Sequence, residues 1–299
     1  MDRQRRAIRR LAFVSMVGIG MSAPATAVAQ TRSSPFDHVA FFAGLDGSKQ
    51  PQDLGVNANM GLRLSVNAGI PVVPGKGFGV QVGAALNVSD AAVHVLDQLE
   101  GTSRRTQTFV TTGVFQRLSR ASWALAYDVQ RNQYYDTFTL GQFRGEAAAR
   151  LTSTDEVGIA LNVGTGRTRG RVGDTVVELR PIAQGLGFVR RDWSKGGRTT
   201  LWAGVASEHH NQVLVIPDPS VDRHVFVYGA RLDVPLNDRI SISGSANLMT
   251  PAATGTVDAF LGMTIRASNA RARERTLSLP LLEVANNPEM PIDLVIPTP

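Results

Sequence analysis

The densest group of side chains able to do chemistry is Glu208-His209-His210-Asn211, followed by Asp218, Asp222 and His224. Histidine and carboxylate donors in one loop are the ligands that zinc and similar cations select. Adjacent residues on a strand point to opposite faces, so His209 and His210 are poor co-ligands if the preceding strand persists. The cluster therefore reads as a solvated outward loop, and no metal is assigned. Ser207 precedes His209 by two residues on the same strand face. A nucleophile must touch its base, yet such positions lie about 6–7 Å apart at Cα. No Gly-x-Ser-x-Gly elbow exists to present a serine either. Gly164-Thr165-Gly166 with Gly170 lacks the helix that a dinucleotide fingerprint needs. No catalytic residue and no cofactor follow from these patterns.

A second set is more orderly. Arg63, Gln81, Asp128, Arg144, Glu146, Arg150, Arg231 and Asp233 each occupy the polar phase of an alternating run. They must share a wet face, where opposite charges can pair across strands. Two roles fit them: a structural network that fills a lumen, or a selectivity lining for a solute.

The elements that position them are strands. From Val56 to Ile70, Val56, Ala58, Met60, Leu62, Leu64, Val66, Ala68 and Ile70 alternate without a break with Asn57, Asn59, Gly61, Arg63, Ser65, Asn67 and Gly69. Period 2 puts one apolar and one polar face on a strand, and this length suits a tilted crossing of a bilayer. The pattern recurs at 78–88, 123–129, 143–151, 157–163, 226–234, 240–246 and 257–265, and more weakly at 39–45, 106–117, 182–193 and 199–208. Twelve strands are predicted. Short turns fall at 71–77, 118–122, 153–156, 194–198 and 235–238. Longer segments fall at 46–55, 89–105, 130–141, 164–181, 209–224 and 248–256. Residues 90–98 have helical spacing, which predicts a short helix capped by Ser89 or Asp90. Alternating short and long connections are the signature of an outer-membrane barrel. Phe78, Phe115, Trp123 and Trp193 lie near short turns, where an interfacial aromatic girdle belongs.

The ends differ from the middle. Arg3, Arg5, Arg6, Arg9 and Arg10 precede an apolar stretch, Leu11 to Met21, and an Ala27-Val28-Ala29 cleavage site, so residues 1–29 read as a cleaved signal peptide. Of the 31 Lys+Arg and 25 Asp+Glu, that segment holds five and one, so the remainder is close to neutral and gives no argument for nucleic acid. With no cysteine, an exported chain has no disulfide staples and must rely on its hydrogen-bonded sheet. Residues 267–299 hold five prolines and no alternation, and read as a disordered C-terminal tail.

Several stretches carry a resemblance: Gly44-Leu45-Asp46-Gly47-Ser48-Lys49-Gln50-Pro51-Gln52-Asp53-Leu54-Gly55, Leu99-Glu100-Gly101-Thr102-Ser103, Gly141-Gln142-Phe143-Arg144-Gly145, Leu179-Arg180-Pro181-Ile182 and Val234-Pro235-Leu236-Asn237-Asp238. Over roughly 40–266 the chain resembles an uncharacterised bacterial domain-of-unknown-function family of outer-membrane-type β-barrels. The resemblance implies the fold and brings no catalytic residue. Many such barrels end on an aromatic residue, whereas the last strand here ends near Ile265-Arg266.

The expectation is an all-β, up-and-down antiparallel barrel of about twelve strands over 30–266. Its partners would be the lipid bilayer of the outer membrane and the barrel assembly machinery. Its role would be passive, as a narrow pore or a scaffold for surface loops, with any small solute unidentified. A soluble exported barrel or sandwich that binds a ligand or partner is the alternative, and a barrel enzyme acting on lipid a further one. The alternation leaves open which phase points inward.

Overall fold

In the computed structural model, the described residues are 38–53, 58–73, 76–91, 104–207, 209–210, 221–222, 225–250, 256–267 and 281–297. Among them the chain forms β1 (Val39–Lys49), a 3-10 turn (Pro51–Asp53), β2 (Asn59–Val73), β3 (Phe78–Ala91), β4 (Arg105–Arg117), β5 (Ala121–Gln133) and β6 (Thr137–Arg150). There follow β7 (Asp155–Gly164), β8 (Thr168–Val172), β9 (Thr175–Pro181), β10 (Gln184–Asp192), β11 (Arg198–Ala206) and two-residue strands β12 (His209–His210) and β13 (Val221–Asp222). The last are β14 (Val225–Pro235), β15 (Ile240–Thr250), β16 (Thr256–Arg266) and β17 (Ile292–Val295).

Twelve of these, β1–β7, β10, β11 and β14–β16, close an antiparallel barrel. Closure is made by β1 on β16, with Ala40 opposite Arg266 and Lys49 opposite Val257, so the barrel leaves no edge. The predicted strands all appear, and β1 runs further than expected: Asp46 and Ser48 continue its inward phase. Asp90 and Ala91 complete β3 instead of opening a helix; the remainder of that expectation, 92–98, lies outside the described residues.

The phase left open by the sequence is resolved by burial. Met60, Leu62, Leu64, Leu125, Phe143, Ile159, Leu161, Leu201, Phe226 and Leu261 are exposed on the outer wall. Their neighbours Arg63, Gln81, Asp128, Arg144 and Asn162 are buried in the lumen. A soluble barrel would invert this arrangement. The outer wall is apolar because lipid, not water, is its solvent.

Short turns have local causes. Gly77 and Gly196 take φ of 62° and 85°, a left-handed backbone that glycine adopts without Cβ strain. Asn237 Oδ1 accepts from the amides of Arg239 and Ile240, which folds the β14–β15 turn.

Within the tail, 268–280, 298 and 299 lie outside the described residues, and the described part differs from the expected disorder. Residues 281–297, which lack alternation and carry Pro288, Pro291 and Pro297, are ordered inside the barrel. Leu282 packs near the short-turn end against Phe115, Ala124 and Ala126. Val284 and Ala285 meet Ala85 and Phe109 further up. Met290, Ile292 and Leu294 reach the long-loop end and join Tyr134, Phe138, Leu140, Val172, Val177 and Leu179. There β17 pairs with β9, which pairs with β8, and this three-stranded sheet sits in the outer mouth. Proline removes a backbone donor but leaves a carbonyl, and the polar lumen wall supplies partners to the carbonyls.

Candidate functional site in the barrel lumen

The lumen is a hydrogen-bonded network with the C-terminal segment at its centre. On β5, Asp128 accepts from Thr111 Oγ1 at 2.7 Å, Gln142 Nε2 at 2.9 Å, and Arg144 Nε and a terminal guanidinium nitrogen at 3.0 Å each. Register places these on neighbouring inward positions of β4, β5 and β6. Arg144 also donates to the Glu283 carbonyl at 2.7 Å. On β2, Arg63 donates to Asn87 Oδ1 at 3.1 Å and to the carbonyls of Val284 and Ala285 at 3.3 and 3.2 Å. Gln81 donates to the Leu282 carbonyl at 3.1 Å. Arg231 pairs with Glu283 and approaches Glu289 at 3.9 Å.

Towards the outer mouth a second network forms. Asp53 accepts from the Gln50 amide at 2.8 Å, Asn59 Nδ2 at 2.7 Å and Arg105 at 2.7 Å. Arg105 also donates to Ser48. Gln50 donates to Asp258 at 2.9 Å and to the Asn287 carbonyl at 3.1 Å. Asn287 donates to Asp46 at 3.0 Å and accepts from Gln107 at 3.0 Å. Complete burial pushes the Asp53 carboxyl up to about 6, against the opposing pull of Arg105 and of its hydrogen bonds from Gln50 and Asn59.

At the short-turn mouth a cavity of about 200 Å³ remains. Arg117, Arg190, Arg198, Arg231 and Arg266 line it, with Asp192, Asp233 and Glu283. Arg190 donates to Glu146 at 2.9 Å and Glu156 at 3.3 Å. Arg150, half exposed at this rim, pairs with Glu156 at 2.9 Å. Asp233 accepts from Ser241 and Ser243 at 2.9 and 2.6 Å.

The eight charged or polar positions singled out in the sequence thus divide. Arg63, Gln81, Asp128 and Arg144 bind one another or the C-terminal segment. Arg231 joins them through Glu283. Glu146, Arg150 and Asp233 belong to ion pairs or hydrogen bonds nearer the short-turn rim. The outer-mouth network of Asp46, Gln50, Gln52, Asp53, Arg105 and Asp258 escaped sequence reasoning, because 46–55 and 89–105 read as loops; Asp258 alone stands on the polar phase of a predicted strand, 257–265. The polar density within the quoted Gly44–Gly55 stretch was the available signal.

The aromatic expectation needs one correction. Trp123 and Trp193 are partly exposed outside the lumen, and Phe78 packs on Trp123 with ring centroids 6.3 Å apart. Phe115, however, points inward and is 1% exposed, because residues 105, 107, 109, 111, 113 and 115 share the inward phase of β4.

Ser207 is held in backbone pairing: its amide donates to the Ala183 carbonyl at 2.8 Å and its Oγ accepts from the Ala183 amide at 3.2 Å. His209 stands opposite Asp222 in the β12–β13 ladder. Glu208, His224 and the side chains of His209, His210 and Asp222 lie outside the described residues. Among the described residues no group of three or more His, Asp or Glu side chains forms a metal site.

A closed, edgeless antiparallel barrel with an apolar outer wall and a polar lumen defines an outer-membrane-type β-barrel. The chain belongs to the family of unknown function DUF6666, whose model matches residues 38–292. The match runs past the last barrel strand and through most of the luminal segment. A chain solved in work on in-meso crystallization of membrane proteins has a TM-score of 0.51 at 12% identity, covering 85% of this chain and 100% of that one. The β domain of a Bordetella autotransporter, BrkA, aligns at 0.46 and 12%, covering 78% and 100%. KdgM porin aligns at 0.42 and 10%, covering 77% and 99%. At these identities the first likeness speaks to the fold alone, and the other two carry no functional argument. No curated protein matches the sequence.

Proposed function

We propose that this protein is a closed outer-membrane barrel with a passive role, a scaffold for its outward loops whose lumen is filled by its own C-terminal segment. The observation that carries the reading is the course of residues 281–297 from the short-turn end to the long-loop end, with hydrogen bonds to the wall along the way. A narrow open pore is the weaker reading, since Leu282, Val284, Asn287 and Met290 occupy its path. Residues 1–29 serve as a removable export signal, and the assembly machinery inserts the barrel on a last strand ending in Arg266.

Planar-bilayer recording tests the reading. The full chain is expected to be silent, and a variant lacking 281–299 to conduct. Equal conductance from both would overturn it. Recovery of the full chain from the periplasm without detergent would remove the membrane assignment.

A further inference from the structure

The lumen addresses its C-terminal segment mostly through the main chain. Gln81 both donates to the Leu282 carbonyl at 3.1 Å and accepts from the Leu282 amide at 3.4 Å, the two-bond exchange that a neighbouring strand would offer. Thr111 Oγ1 accepts from the Ala285 amide at 3.0 Å. Arg144 and Arg63 donate to the carbonyls of Glu283, Val284 and Ala285. Asn162 donates to the Glu289 carbonyl at 3.0 Å, and Gln50 accepts from the Ile292 amide at 3.1 Å. Polar contacts that depend on the segment's own side chains are fewer: Glu283 and Glu289 on Arg231, Asn287 on Asp46 and Gln107, and, beyond 282–289, Asp293 on Arg180. Apolar demand concentrates at the outer end, where Met290, Ile292 and Leu294 are fully buried.

We infer that the lumen is a binding site for an extended polypeptide, read through its backbone over 282–289 and anchored by three apolar side chains, and that it accepts the same segment from a second copy of this chain. Backbone readout is indifferent to whether the segment is covalently attached, because amides and carbonyls present the same donors and acceptors in cis and in trans. The inference rests on the closed-barrel reading.

The test starts from the folded full chain with a protease site placed within residues 268–280. The chain is cut after folding, and the released segment is stripped with mild denaturant. A fluorescent synthetic peptide of residues 281–297 is then added, and anisotropy read. Saturable uptake is expected. A competitor with Glu283→Ala should compete within about 3-fold of the parent, and one with N-methyl groups on Leu282 and Ala285 should lose about 10-fold or more. Absence of uptake, or an N-methylated peptide that competes as well as the parent, overturns the inference. Conductance of the same stripped sample separates the two ideas. A barrel that conducts but takes no peptide sinks the inference alone, and one that stays silent sinks the closed-barrel reading while anisotropy still decides the inference. As a second measure, the variant lacking 281–299 is refolded in detergent. Its yield of heat-modifiable barrel should rise with the parent peptide and not with the N-methylated one; an equal response to both would count against backbone readout.

Discussion

At Asp128 four hydrogen bonds from three side chains converge on one fully buried carboxylate. Removing it strands Arg144, 5% exposed, without its counter-charge. Asp128→Ala should cost about 3–5 kcal/mol, read as a lower midpoint of heat-modifiable migration or urea unfolding, with Asp128→Asn less affected. Asp53 behaves differently. Its folded value of about 6 stands above its ordinary 3.8, so the folded state binds the extra proton. Stability from this group is fully present below about pH 4 and is lost as pH rises through 6, by at most about 3 kcal/mol. Subtracting the pH profile of Asp53→Asn from that of the native chain should isolate this slope between pH 4 and 7; an identical profile would refute it. Residues such as Arg63, Asp128 and Arg144 were legible because unbroken alternation fixes their face. Asp53 and Arg105 were not, since 46–55 and 89–105 lack the period that would have located them; Asp258 lies on the polar phase of the 257–265 run and was legible there.

At the scale of elements, strands announce themselves and the luminal segment does not. Each barrel strand meets lipid on one face and the lumen on the other, so its sequence must alternate. Over 282–289 the segment's backbone is met mostly by side chains of the barrel wall, and only 292–295 form a ladder, with β9. No period results, and the prolines suggest disorder. One strand position nonetheless records the segment's passage: a Cβ on Gly83 would collide with Val284. Gly83→Val should unseat the segment, seen as faster amide exchange at 284–285, whereas Gly145→Ala, whose nearest neighbours lie at 3.9 and 4.0 Å, should leave exchange unchanged. Unchanged exchange in Gly83→Val would contradict that packing.

For the whole molecule, the decisive contrast is between two solvents separated by one sheet. Leu64 faces outward in the middle of β2 and is 56% exposed. Its neighbour Ser65 faces the water-accessible cavity of about 200 Å³. Leu64→Arg should therefore destabilise the inserted barrel by about 2–4 kcal/mol, whereas Ser65→Arg should cost less than about 1 kcal/mol in the same lipid. Equal penalties would argue against a lipid-facing outer wall.

Strand number, the order of short and long connections and the two-faced character of each strand are local properties, written in the sequence by period 2. Which face meets lipid is not local, since inverting every strand would leave the same period; the burial of the polar phase inside the closed barrel decided it. Nor could the sequence place residues 281–297. Their partners lie up to 242 positions away, as with Gln50 and Ile292, and each offers a side-chain amide, hydroxyl or guanidinium to an otherwise featureless backbone. Only once the barrel closes do those groups converge on one axis and turn a proline-bearing tail into the core of the lumen.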